Sequence, residues 1–256
     1  MSGRVVFYPA ILLVALLWSG LSSAYVLMGS KWPEAHTTFY PDLELLGERR
    51  SPSGVSWNQA FSEAAEEWSR RTLFRFDIDE RNPSHPCAGL LPKYPEDGYR
   101  NGAAFTSVIC TTDAFGFAET TGFGANTLAV TMIYSVPGQE GITSETDIFF
   151  NNTERWDVYD GAERRENDFR RVALHELGHA LGLDHETREQ AIMAPLIGDL
   201  FTLQEDDIRG VAALYGGGEL EPIVLHIGYG HIPYQVLFHL DNKKDLGLHT
   251  EAISEA

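Results

Sequence analysis

One stretch of eleven residues limits the fold of this 256-residue chain more than any other: His175-Glu176-Leu177-Gly178-His179-Ala180-Leu181-Gly182-Leu183-Asp184-His185. The spacing of apolar residues predicts a helix from about Asp168 to Leu181, ended by Gly182. On that helix His175 and His179 stand four residues apart, so both imidazoles project from one face and can grip one ion. A catalytic zinc takes three protein ligands and keeps one position for water. Helical spacing alone cannot bring a third ligand into tetrahedral place. Gly182 can, because a left-handed backbone costs glycine little and lets the chain leave the helix sharply, so that His185 follows as the third ligand. Glu176 sits beside a ligand and is placed to take a proton from water, whose pKa zinc lowers to about 7. Five fixed positions in eleven arise by chance in a chain this size with a probability on the order of 10⁻⁴. The blander readings are a surface helix with solvated histidines, and a purely structural zinc. Three histidines with a neighbouring glutamate, rather than four ligands, argue against the second.

Around this stretch the pattern is that of an α+β domain. Trp57, Ala60, Phe61, Ala64, Ala65 and Trp68 recur at three- and four-residue spacing, and Ser56 with Gln59 predicts a capping box at the start of that helix. Phe74, Phe76 and Ile78 alternate with polar residues as a half-buried strand. Leu128 to Tyr134 and Ile148 to Phe150 are further strand candidates. A third helix is expected from Thr202, capped by a Thr202/Glu205 box, burying Ile208, Val211, Ala212 and Tyr215 and stopping at Gly216.

The two ends read differently. Arg4, an apolar run from Ala10 to Trp18 and the small residues Ser22-Ser23-Ala24 have the order of a secretory signal peptide. The run is shorter than the roughly 20 residues of a membrane span, so no stable membrane anchor is expected. The expected layout is a signal peptide over 1–24, a catalytic domain over 25–216 and an extension over 217–256 that begins at Gly217-Gly218. In that extension Ile223-Val224-Leu225 and Tyr234 to Phe238 look like short strands. Secretion changes how Cys87 and Cys110 are read: in an oxidising compartment an even count of two suggests one disulfide, with two reduced buried thiols as the alternative. With 37 acidic against 19 basic residues and a net charge of -18, a nucleic-acid partner is not expected.

The long motif followed by Met193 resembles the metzincin metallopeptidases, whose metal site rests on a methionine-containing turn. Ala191-Ile192-Met193-Ala194-Pro195 and Asp206 to Gly216 are similar to the matrixins, the matrix-metalloproteinase branch, as are Lys31-Trp32-Pro33, the Trp57–Trp68 helix and Asp147 to Trp156. The resemblance spans about Gly29 to Gly216. Glu186 after the third histidine is more like the astacins, but Pro195 stands where they have a tyrosine. The resemblance implies a twisted mixed β-sheet with three main helices and a zinc site under a cleft. With the leader-like N-terminus, the expectation is a secreted, extracellular, monomeric endopeptidase; the resemblance implies protein or peptide substrates, with His175, His179 and His185 as zinc ligands and Glu176 as general base and acid. An extended peptide would pair with the edge strand near Leu128–Thr131.

The departures are as informative. The resemblance places the ligands of a second, structural zinc at Val130 and Phe149, which cannot bind a metal, so one zinc is expected rather than two. In the resemblance the family's calcium cluster maps onto Asn151 and Glu154, with Asp147 just upstream, and asparagine in place of aspartate weakens that site. Asn151-Asn152-Thr153 is also a glycosylation sequon. No cysteine-switch propeptide is evident, since Cys87 sits in an unrelated His85-Pro86-Cys87 context. The wall of the specificity pocket, usually Pro-x-Tyr, reads Pro195-Leu196-Ile197. A secreted zinc-binding module without turnover would keep the three histidines but has no need of Glu176. Hydrolysis of something other than peptides would use the same residues.

Overall fold

A computed structural model describes residues 24–95, 97–112, 117–135, 138–139, 141–216, 225–229 and 232–236. The expected signal peptide lies outside the described residues except for Ala24, and so do the polar last dozen residues and the strand candidates Ile223-Val224 and Leu237-Phe238. Ala24 is packed into the domain: it is buried and its backbone N–H donates to Asp206 Oδ1 at 3.3 Å.

The elements run β1 (Val26–Leu27), β2 (His36–Asp42), α1 (Trp57–Arg71), β3 (Arg75–Ile78), β4 (Asn101–Thr106), β5 (Ile109–Thr112) and β6 (Ala118–Thr121). They continue with β7 (Ala129–Ser135), β8 (Thr143–Asn151), β9 (Trp156–Asp157), β10 (Asn167–Asp168), α2 (Phe169–Leu181), β11 (Leu183–Asp184), α3 (Glu205–Tyr215), β12 (Leu225–Tyr229) and β13 (Ile232–Val236). The main sheet has the order β3-β2-β4-β8-β7. Its first four strands are parallel neighbours, and β7 closes one edge antiparallel to β8. This is the expected α+β architecture with three helices and a mixed sheet.

The parallel pairing of β2 and β3 follows from α1, which supplies the crossover between them. All six apolar residues singled out on α1 are buried, and they carry the helix onto the sheet through edge-on rings such as Trp57 against Phe105 at 5.3 Å. Trp68 reaches across to α2, its indole N–H donating to Leu174 O at 2.9 Å. Along β8 the side chains alternate. Ile148 and Phe150 join the main core with α1 and α2, while Phe149 joins a second cluster with Cys87, Ile109 and Cys110. Cys87 and Cys110 form a disulfide, so the two-thiol alternative is set aside.

Two capping expectations need correction. At α1 only half the box forms: Ser56 Oγ accepts from Gln59 N at 3.5 Å, while the Gln59 amide turns forward to Glu63. At α3 the box is Gln204/Asp207, not Thr202/Glu205, and the helix begins at Glu205. Thr202 instead lies ahead of the helix, accepting from the Gln204 side chain through its carbonyl at 2.7 Å. Asp207 wins the N3 position because its buried carboxylate also serves other backbone N–H groups. Val211 is buried as expected, whereas Ile208, Ala212 and Tyr215 are half-buried.

Candidate metal centre

The site is assembled at the point where α2 ends. Helical spacing sets His175 and His179 one turn apart with ring centroids 4.7 Å from each other. Gly182 then adopts φ 103° and returns its N–H to the last turn, at 2.8 Å from His179 O. No other residue fits there, since a Cβ would lie 2.2 Å from Ser30 O as well as carrying the strain of positive φ. Leu183 pairs with Leu27 in the short β1–β11 ladder, and the chain arrives at His185.

The three imidazoles converge on one point. His175 Nε2 and His179 Nε2 lie 3.3 and 3.2 Å from His185 Nε2. The opposite nitrogens of the first two are committed, as His175 Nδ1 donates to Ile192 O at 2.7 Å and His179 Nδ1 donates to Leu183 O at 2.8 Å. Their protons are therefore on Nδ1, and their Nε2 atoms face His185 as bare lone pairs. His185 has at most one Nε2 proton to offer those two lone pairs, whereas a cation can satisfy all three nitrogens. A tetrahedral centre with zinc–nitrogen bonds of 2.0–2.1 Å has nitrogen–nitrogen edges of about 3.3–3.4 Å, which the observed separations match. These histidines are the one group among the described residues with the donors gathered to hold a metal ion. Burial, reinforced by the neighbouring His179, holds His175 down at about 3, so it stays neutral and able to coordinate.

Glu176 is buried, at 5% exposure, and burial raises its pKa while His179 and a hydrogen bond from Thr131 pull it back. It opens on a cavity of about 350 Å³ whose lining includes Leu128, Ala129, His175, His185 and the segment Pro195, Leu196 and Ile197. The segment expected to wall a specificity pocket does line this cavity. Beneath the helix, Met193 is buried against Gly178, where a Cβ would sit 2.2 Å from its sulfur. Glycine at 178 is thus what lets the methionine turn close under the histidines.

Residues 122–216 match the family model of the matrixins. Over that stretch the chain is similar to the matrixins. Its relatives include human matrix metalloproteinase-15, 42% identical over 80 residues, which is 30% of this chain and 12% of that protein. Macrophage metalloelastase of Oryctolagus cuniculus is 58% identical over 52 residues, 19% of this chain and 11% of its own length. Stromelysin-3 of Rattus norvegicus is 39% identical over 80 residues, 30% of this chain and 16% of the relative. The aligned stretches thus cover only a small part of each relative. The family implies zinc as the metal of the histidine centre.

The remaining candidates are distributed differently. Asp147 is buried with its carboxylate accepting from Gly102 N at 2.8 Å. The Asn151 amide is engaged on both sides, by Thr153 at Oδ1 and toward Thr127 O from Nδ2. Glu154 lies three residues further on, in the turn that follows. Among the described residues Asp147, Asn151 and Glu154 belong to no cluster of three acidic, histidine or cysteine ligands, and the sequon asparagine is only 5% exposed. Three residues of the site escaped the sequence reading. Asp207 accepts from the backbone N–H groups of Ile192 at 3.0 Å and Met193 at 3.2 Å, holding the turn. Arg171 lines the cavity with its guanidinium tied to Gly198 O and Gly161 O. Thr131 donates to Glu176. Asp207 left a trace in sequence as part of a segment similar to the matrixins, and Thr131 only as the end of the expected substrate edge, without its contact to Glu176.

Proposed function

We propose that the protein is a secreted zinc-dependent endopeptidase of protein or peptide substrates, with a catalytic domain over 25–216 between a removed leader and an extension of unassigned role. The observation that carries this reading is the convergence of three Nε2 atoms, two of them fixed by backbone acceptors, beside a buried carboxylate that opens on a cavity. His175, His179 and His185 would hold the zinc. When bound, zinc supplies Lewis-acid polarisation of the scissile carbonyl and makes a water acidic enough to lose a proton near neutral pH.

The chain's own residues supply the rest. An extended peptide adds to the free edge of β7, near Leu128–Thr131, and lays its carbonyl over the histidines. The side chain following the cleaved bond enters the cavity walled by Pro195-Leu196-Ile197. Glu176 takes a proton from the attacking water and returns it to the leaving amine. Met193 and Asp207 hold the floor on which the ligands stand. Secretion is supported by the leader-like order of residues 1–24 and by the disulfide. Among the described residues no helix is long and apolar enough to cross a membrane.

Purified mature protein tested on quenched peptide libraries decides the reading. Cleavage is expected, and it is expected to vanish with Glu176→Ala and with chelation, alongside one zinc per chain by elemental analysis. No cleavage at all, or cleavage that survives both treatments, would overturn it.

A further inference from the structure

We propose that Thr131 is a positioning residue for the Glu176 carboxylate, a role that rests on the reading of Glu176 as the proton carrier. Thr131 Oγ1 donates to Glu176 Oε2 at 2.6 Å, within the short range of hydroxyl-to-carboxylate bonds. The same hydroxyl lies 3.2 Å from Glu176 O, but it has one proton, and the shorter contact takes it.

The hydroxyl is placed by the sheet and not by a loop. Thr131 is in register opposite Ile148 in the β7–β8 ladder, and its β-branched side chain has restricted freedom about χ1. Glu176, by contrast, swings on three torsions at the cavity wall. Pinning Oε2 fixes the carboxylate's plane and leaves Oε1 to face the attacking water. Thr131 is not among the residues lining the cavity, and its hydroxyl is turned to Glu176, so any pairing of a peptide with this edge uses the Thr131 backbone, which a side-chain substitution leaves in place. Removing the hydroxyl therefore costs catalytic turnover and leaves substrate binding nearly alone.

Thr131→Val keeps the shape and deletes the donor, while Thr131→Ser keeps the donor. In the zinc-loaded protein on a peptide the wild type cleaves, Thr131→Val is expected to lower kcat about tenfold with KM within about twofold. Thr131→Ser is expected to stay within about threefold of wild-type kcat. Zinc content and Tm are read on each variant. Should Thr131→Val not fold, Thr131→Ala against Thr131→Ser makes the same comparison. The proposal is overturned if the donor-less variant keeps wild-type kcat, if its loss appears in KM, if it follows loss of zinc, or if the serine variant is equally impaired. A wild type without activity would sink the endopeptidase reading instead, so the two failures are distinct.

Discussion

Replacing Gly182 with alanine tests the link between backbone conformation and metal geometry. At φ 103° an alanine pays a left-handed penalty of about 1–2 kcal/mol. Its Cβ also lands 2.2 Å from Ser30 O and 3.3 Å from Leu214 Cδ1. Ser30 cannot simply swing aside, because Met28 N bonds Gly182 O at 2.9 Å and Lys31 N bonds Gly141 O at 3.1 Å on either side of it. Relief must come from the Gly182-Leu183 segment, at an overpacking cost of about 1–3 kcal/mol. Together these amount to about 2–5 kcal/mol, or roughly 4–20 °C in Tm for a domain of this size. The same shift carries His185 away from its two partners, and metal coordination tolerates only about 0.2 Å. Zinc affinity, read by competition with a chromophoric chelator, is expected to fall at least tenfold. Gly216→Ala is the control: its φ is 76°, but nothing lies within 4 Å of the added Cβ, so it carries backbone strain without the clash. Wild-type zinc affinity in Gly182→Ala, or equal loss in Gly216→Ala, would refute the reasoning.

Asp207→Ala leaves the buried N–H groups of Ile192, Met193 and Gln204 without their acceptor. It is expected to destabilise by about 3–5 kcal/mol in urea unfolding, with Asp207→Asn losing less because an amide oxygen still accepts. Cys87→Ser with Cys110→Ser opens a loop of 23 residues' separation and is expected to cost about 3 kcal/mol, measured the same way. Burial, with the Asp97 charge behind it, raises Glu145 to about 7. The folded state therefore keeps a proton that the unfolded chain gives up, and stability falls as pH rises from about 4.5 through about 7. Glu145→Gln escapes that loss, so it is expected to exceed wild type in Tm at pH 8 and match it at pH 4. Equal Tm values at pH 8 would show that Glu145 is solvated and ionised throughout, and would refute the reasoning.

What could be read from the chain followed local periodicity. The α1 stripe and the histidine helix announce themselves because one helical face is apolar and each end carries a cap or a glycine. β4 did not, because Asn101 to Thr106 are all buried and a strand covered on both faces shows no alternation. β2 was hidden by its threonines and by Pro41, which sits opposite Ala103 inside the sheet. The α3 box slipped by two residues because Thr202/Glu205 satisfies the local pattern, whereas Asp207 is selected by a turn fourteen residues upstream. Thr131 illustrates the limit best. Its hydrogen bond spans 45 residues of sequence, and a threonine in a strand carries no mark of what lies across from it.

Strand β7 joins these observations. Its successive residues face opposite ways: Thr131 points to Glu176, while Val130 and Met132 pack against the cluster that holds Cys87 and Cys110. Val130 is in register with Phe149, the two positions where the family resemblance would place structural-zinc ligands. Neither can donate to a metal, and the nearby sulfurs are spent on each other. The face of this edge strand turned away from Glu176 is therefore held by apolar burial and one covalent link. Such a clamp is indifferent to chelators but not to reduction. Its position directly behind Thr131 ties the rigidity of the edge to the aim of the carboxylate that edge positions.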